Sequence, residues 1–447
     1  MSDKNGSNYE FLTTGSIPKV ILTMAVPTVV SMLVTSFYNM ADTFFVGRIN
    51  TQATAAVGVS FSLMSVIQAI AFLFGQGSGT YISRRLGAKD VEDASRMAST
   101  AFFAALGVSC LITLFGFIFL DQLAKFLGST PTILPYAKTF MSCILIGCPF
   151  MISTLVINNQ MRFQGNASLA MYGILSGAVI NVMLVPLFIF VFDMGILGAG
   201  LGTLLGQFCG FCVIFTMSRK GNNLRINPRH ITFSYKYAKE IIRGGSPSLT
   251  RQGLMAISTS MLNVAAGVYG DAAIAAMSVV TRICFFIQSV VIGIGQGFQP
   301  LCGFCYGAKL YQRVRDGYMF AVKASAIFLI VCVAAGAPFA DTLVRIFRDD
   351  EMVIAVGTPA LRWQMLTFPL VSVIQMSNMM LQTTGRALPA NILAASRNGF
   401  FFIPSILILP YFFGLDGVEA AQALSDFLSF LLATPLALWM LGQLKGK

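Results

Sequence analysis

Long apolar stretches alternate with short polar segments along the whole chain. Each stretch is close to the roughly 20 helical residues needed to cross a hydrocarbon layer about 30 Å thick. Twelve stand near 17 to 40, 53 to 77, 95 to 120, 136 to 160, 168 to 192, 195 to 217, 240 to 268, 273 to 297, 317 to 341, 355 to 380, 388 to 412 and 417 to 441. The pattern predicts an all-α membrane protein with twelve transmembrane helices. The first sixteen residues are mostly polar and lack the n-region and small-residue cleavage site of a secretory signal, so the first span is expected to serve as its own insertion signal.

The pattern also repeats. Offset by 220 residues, the chain matches itself without a gap from Pro27/Pro247 to Ala170/Ala390, with 25 identities in 144 positions. The identities include Gly75-Gln76-Gly77 against Gly295-Gln296-Gly297, Gly87-Ala88-Lys89 against Gly307-Ala308-Lys309, Pro149/Pro369, Asn158/Asn378 and Gly165/Gly385. Six spans per repeat give both halves the same orientation, and two pseudo-symmetric six-helix lobes are expected. The natural division is an N-lobe over 1–225, a cytoplasmic linker over 226–239 and a C-lobe over 240–447. A cleft between such lobes is where transporters of this design hold substrate. Pro27 and Pro247 fall at matched depths, each removing one helical hydrogen bond, and read as hinges or as kinks tolerated by packing. In span six, Gly198, Gly202, Gly206 and Gly210 form a small-residue face suited to close helix packing.

Composition agrees with a polytopic membrane protein: of 447 residues 56% are apolar and only 11% charged. The formal charge of +12 raises the question of nucleic acid. Its distribution answers it, because 22 of the 30 Lys and Arg fall on one side when loops are assigned alternately, Arg162, Arg386 and Arg397 among them. The positive-inside rule makes that side, and both termini, cytoplasmic. No nucleic-acid partner is expected. Nine Cys include Cys209-Gly-Phe-Cys212 and Cys302-Gly-Phe-Cys305, but both runs lie in apolar helices and the only His, His230, lies in the linker. These Cys are expected to be buried packing residues, and no metal site is expected.

The candidate chemistry sits in charges inside spans. Asp42 is the only charge between Lys19 and Arg48. A carboxylate there is either a functional group facing a lobe interior or wet cavity, or an ordinary Asp at the interface. Its repeat partner is Leu262, so the architecture does not demand it. As an intramembrane carboxylate it is a candidate carrier of H⁺ or Na⁺, with Asn39 one turn earlier as a neutral partner. Arg251, whose repeat partner is Ser31, either snorkels to the interface or lines the cleft, and Arg282 poses the same choice. The matched Gln68 and Gln288 line the cleft or join helices by hydrogen bonds. With Met255 and Asn378 they complete the candidate substrate-cleft set of Gln68, Arg251, Met255, Gln288 and Asn378. No catalytic constellation or phosphate-cradling loop is present, so the chain reads as no enzyme and as driven by an ion gradient rather than ATP.

Several runs together resemble one family: Asn39-Met-Ala-Asp42-Thr-Phe-Phe-Val-Gly47, Ser83-Arg-Arg-Leu-Gly-Ala-Lys-Asp90, Met161-Arg-Phe-Gln-Gly-Asn166, Asn181-Val-Met-Leu-Val-Pro-Leu-Phe-Ile-Phe190, Gly195 to Thr203, and Ile403-Pro404 to Gly417. Over essentially its whole length the chain is similar to the MATE (multidrug and toxic compound extrusion) transporters, most closely their DinF/MepA-like branch. The resemblance implies export of cationic or amphipathic small molecules, drugs or toxic metabolites, in exchange for H⁺ or Na⁺ by alternating access. It implies no cofactor besides the coupling ion, and a monomer in the bilayer of a bacterial inner membrane. By position, Asp42 matches the family's coupling carboxylate, and Asn181 and Thr203 match polar members of the same ion site. The family pattern in span five usually reads Asn-x-x-Leu-Asp-Pro, and Val185 stands where that second Asp would be. With one carboxylate fewer, either proton coupling over Na⁺ or a weakened ion site is expected. The alternatives are a lipid-linked saccharide flippase of the same superfamily, which calls for a strongly cationic cavity, and a membrane-embedded enzyme, which calls for clustered His, Cys or carboxylates.

Overall fold

The computed structural model describes residues 4–221 and 223–445, with side chains from residue 8 onward. Asn222, in the polar segment between the repeats, lies outside the described residues. Twelve long helical elements run in chain order: α1 Ile17–Gly47, α2 Thr51–Gly87, α3 Val91–Ile118, α4 Leu134–Phe163, α5 Ala167–Val191 and α6 Gly195–Ser218. The second repeat supplies α7 Tyr235–Gly267, α8 Asp271–Gly307, α9 Tyr311–Gly336, α10 Glu351–Thr383, α11 Ala387–Phe413 and α12 Leu415–Lys445. Ten of these are long and apolar enough to cross a bilayer on length and composition alone. The other two, α7 and α10, have 33 residues each and carry more polar side chains. Short helices Lys4–Thr14, Leu120–Phe126 and Ala340–Phe347 and a 3-10 turn Pro228–His230 complete the helical set, and no strand occurs among the described residues.

The repeat is visible atom by atom. Helices α1 and α7 end at Gly47 and Gly267, α2 and α8 at Gly87 and Gly307, and α4 and α10 at Phe163 and Thr383, each pair 220 residues apart. Chain reversal after α2 and α8 puts Lys89 and Lys309 in the left-handed region, at φ of 61° and 62°. After α4 and α10, Gly165 and Gly385 take φ of 90° and 78°, which a side chain would strain. Asn158 Nδ2 donates to the Ala170 carbonyl at 2.9 Å, and Asn378 Nδ2 to the Ala390 carbonyl at 2.8 Å. These matched residues are therefore hydrogen-bonding ties between consecutive spans, which accounts for their identity in both halves.

Two compact units result, and their boundaries differ from a division at 225 and 240. The first comprises Val30–Leu249 with the N-terminal residues through Thr14; the second comprises Gly15–Val29 with the chain from Thr250 onward. Helices α1 and α7 each change unit two residues beyond their internal prolines, Pro27 and Pro247. The Gly-Gln-Gly identities explain how each unit holds its borrowed half-helix. In the first unit a Cβ on Gly77 would collide with the Ile241 carbonyl of α7. In the second, a Cβ on Gly297 would lie 2.8 Å from the carbonyl oxygen of Ile21 in α1, the repeat partner of Ile241. Glycine is needed at both positions because backbone packs on backbone.

The segment 226–249 thus belongs to the first unit. Backbone amides of Asn227 and Thr232 donate to Ser99 and Thr100 of α3 at 3.1 and 3.0 Å. At the start of α7, Asp93 gathers four donors: Tyr81 Oη at 2.5 Å, Tyr237 Oη at 2.7 Å, Arg85 Nε at 2.9 Å and Lys236 Nζ at 3.0 Å. Arg84 adds an ion pair to Glu240 at 3.0 Å.

All nine cysteines are free thiols. Cys302 and Cys305 are buried in α8, but Cys209 is half-buried and Cys212 exposed on α6. The expectation of buried cysteines thus fails for Cys110 of α3 and for Cys212, where α6 turns that face outward while its glycine face packs inward.

Candidate functional site

In the first unit the glycine face of α6 brings α5 close enough for polar side chains to meet. A Cβ on Gly206 would lie 2.9 Å from the Gly177 carbonyl and 3.0 Å from Asn181 Cβ, and one on Gly210 would lie 3.0 Å from the Gly173 carbonyl. With no side chains in the way, Asn181 of α5 reaches Thr203 of α6. Asn181 Nδ2 donates to Thr203 Oγ1 at 3.3 Å, and Thr203 Oγ1 donates to the Ala199 carbonyl at 3.0 Å. Both residues are buried.

Asp42 completes the cluster from α1. It lies five residues before the end of the helix, within the part of α1 that belongs to the first unit. Its Oδ2 accepts from Asn181 Nδ2 at 3.4 Å. Two oxygens are left over: Asp42 Oδ1 and Asn181 Oδ1 are both buried and have no hydrogen-bond partner among the described residues. A buried acceptor without a donor costs about 1–3 kcal/mol. One belongs to the carboxylate and one to the carboxamide bonded to it, and such a pair of acceptors suits a proton or a small cation. Val185, one turn from Asn181, is fully buried and packs its Cγ2 toward Gly202, so it brings no further oxygen.

A family model described as MatE matches residues 27–187 and 247–408, both halves of the repeat. The chain belongs to the MatE family. Its relatives include the multidrug export protein MepA of Staphylococcus haemolyticus, 28% identical over 410 residues, covering 91% of this chain and 90% of the relative. The MepA protein of Staphylococcus aureus is 26% identical over 418 residues, covering 93% and 92%. Among solved structures, an outward-facing multidrug resistance MATE family transporter of the MOP superfamily matches with a TM-score of 0.92 at 25% identity over 98% of both chains. A MATE crystal structure in the straight conformation matches in fold, with a TM-score of 0.93 at 24% identity over 98% and 99%. This MatE protein is therefore a multi-pass membrane transporter and not an enzyme.

Among the residues singled out on sequence, Asp42, Asn181 and Thr203 meet. Asn39 does not join their hydrogen bonds; it is half-buried, and its backbone carbonyl accepts from Thr43 at 2.9 Å. Gln68 is half-buried on α2, and its carboxamide has no partner among the described residues. In the second unit, Arg251 Nη1 donates to Asn378 Oδ1 at 3.2 Å, so this arginine is tied to the residue that bridges α10 and α11. Met255 and Arg282 are exposed on α7 and α8.

Gln288 leads to residues the sequence reading missed. Its Oε1 accepts from Arg397 Nη1 at 2.8 Å. Arg397, grouped on sequence with the cytoplasmic basic residues, stands instead eleven residues into α11, in a π-helical turn over Ser396–Phe400. Its guanidinium grips Asp426 of α12 with two bonds, Nε to Oδ1 at 2.7 Å and Nη2 to Oδ2 at 3.2 Å. Gln422 Nε2 adds a bond to Asp426 Oδ1 at 2.9 Å. Asp426 is fully buried. The correction has a clear cause: Ser396-Arg397-Asn398-Gly399 has loop composition, yet the pair neutralises itself inside the bundle. The signal was available as two opposite charges, each inside an apolar span, at Arg397 and Asp426.

Proposed function

We propose that the protein is a secondary active multidrug antiporter, which exports cationic or amphipathic small molecules in exchange for H⁺ by alternating access. The observation that carries this reading is the Asp42–Asn181–Thr203 cluster with its two unsatisfied oxygens. One carboxylate beside two neutral side chains can take up a single proton and become fully satisfied. Na⁺ prefers several hard oxygen donors, and Val185 withholds one. Proton coupling is therefore favoured over Na⁺.

In the proposed cycle, a proton entering from outside binds Asp42 and changes the packing of the α1 segment that follows the unit boundary. This lowers the affinity for bound substrate, which leaves outward, and proton release inward resets the carrier. Exchange requires that proton and substrate affinities be coupled, and the coupling is reciprocal. The exchange of half-helices at Pro27 and Pro247 gives α1 and α7 a share in both units, as a mechanical link would need. The protein is proposed to work as a monomer in a bacterial inner membrane with both termini cytoplasmic, as the distribution of Lys and Arg indicates.

The test uses proteoliposomes with a fluorescent lipophilic cation under separate H⁺ and Na⁺ gradients. Wild-type protein is expected to respond to the H⁺ gradient, and Asp42→Asn to lose that response. Undiminished gradient-driven transport by Asp42→Asn removes Asp42 from the mechanism, and a strict Na⁺ requirement refutes the proton preference.

A further inference from the structure

We propose that Gln288, oriented by the Arg397–Asp426 pair, is a substrate subsite of the second unit that donates a hydrogen bond to an acceptor oxygen on the exported molecule. The inference rests on the export reading above and adds a chemical preference to it. A guanidinium carries donors only. The Gln288 atom that meets Arg397 Nη1 is therefore its carbonyl oxygen, and the amide nitrogen points away from the pair. That Nε2 group has no partner among the described residues, and Gln288 is half-buried.

Gln288 is the eighteenth of the 37 residues of α8, at mid-span. A carboxamide at that depth is disfavoured against lipid and belongs on a protein-lined, wet surface. There its two amide hydrogens are offered to whatever occupies that surface. The matching acceptors are carbonyl, ester and ether oxygens.

The first repeat lacks the device. Gln68 matches Gln288, but the position that matches Arg397 is Gly177. At the same offset Asp426 falls on Gly206, so neither charge has a counterpart there, and the π-helical turn over Ser396–Phe400 falls on ordinary α-helix. Gln68 is thus free to turn either end of its carboxamide outward, whereas Gln288 is held as a donor. Arg397 and Asp426 are positioning residues, and Gln288 is the group that touches substrate.

The experiment compares two lipophilic cations binding to purified full-length protein: rhodamine 6G, which carries an ester and a ring oxygen, and tetraphenylphosphonium, which has no hydrogen-bond acceptor. Gln288→Met is expected to weaken rhodamine 6G about fivefold, as for one net hydrogen bond, while changing tetraphenylphosphonium by less than about twofold. The paired replacement Arg397→Met with Asp426→Met keeps the interior neutral and releases Gln288, and it is expected to lower the same ratio. Should the methionine variant at Gln288 not fold, Gln288→Glu keeps an acceptor for Arg397 and removes the amide donor. Its charge acts on both cations, so the ratio of affinities still falls if the donor matters. A ratio unchanged within about twofold in the Gln288 variants overturns the subsite. A ratio retained in the paired variant overturns the positioning role. Wild-type protein that binds neither cation overturns the export reading, and the subsite with it.

Discussion

Removing either member of the Arg397–Asp426 pair is expected to destabilise the protein far more than removing both. Asp426 is fully buried, and the Arg397 side chain is only 19% exposed. Arg397→Met leaves a carboxylate with Gln422 as its one remaining side-chain donor among the described residues, and Asp426→Met leaves a guanidinium with Gln288. An uncompensated buried charge of this kind costs about 3–5 kcal/mol. Replacing both partners by apolar side chains of similar volume is often neutral or stabilising by about 1–4 kcal/mol. Each single variant is therefore expected to lose about 4 kcal/mol and the double variant to stay within about 1 kcal/mol of wild type, a coupling of several kcal/mol. Reversible denaturant titration in detergent micelles, followed by the helical signal, measures all four corners of the cycle. Single variants that each lose less than about 1 kcal/mol, or a double variant whose loss equals their sum, refute the reasoning.

Three further outcomes follow from other parts of the molecule. Val185→Asp buries a second carboxylate one turn from Asn181 at a cost of about 3 kcal/mol on insertion scales. The variant is expected to be less stable than wild type without Na⁺ and to gain thermal stability as NaCl replaces choline chloride; an identical response of both proteins refutes the argument that Val185 disfavours Na⁺. Gly297→Ala puts a methyl 2.7 Å from the Ala25 nitrogen and is expected to cost about 1–3 kcal/mol, whereas Gly58→Ala in α2 meets nothing within 4 Å and is expected to be neutral or slightly stabilising. Equal effects in the same titration contradict the role given to the Gly-Gln-Gly motif. Asp93→Asn weakens the bonds from Arg85 and Lys236 and is expected to raise amide hydrogen exchange over 235–249, with 250–267 unchanged; uniform exchange along α7 contradicts the assignment of its first part to the first unit.

The twelve spans and the duplication were legible because hydropathy and a gapless repeat are properties of the chain alone. The placement of the half-helices was not. Pro27 and Pro247 marked the right depth, but nothing local to a proline tells which partner the helix leaves there, and that depends on Gly77 and Gly297 far along the chain. In the site, Asp42 was visible as a lone charge in an apolar run. Asn181 and Thr203 came only from the family resemblance, since a buried Asn or Thr in a span is ordinary until its neighbours are known. Arg397 was misread because a π-helical turn accommodates Ser, Asn and Gly inside a membrane helix, and those residues look like a loop in one dimension. Its partner Asp426 lies 29 residues later in a different helix.

The proposed exchange of substrate for a proton at Asp42 is tested most directly by counting protons. Lipophilic cation is added to purified protein in weakly buffered detergent solution, and the release is followed with a pH indicator across a range of starting pH. Wild-type protein is expected to release protons in proportion to cation bound over a limited pH window, and Asp42→Asn to bind the cation without releasing them. Equal release by the two proteins, or none from wild type at any pH, contradicts the account.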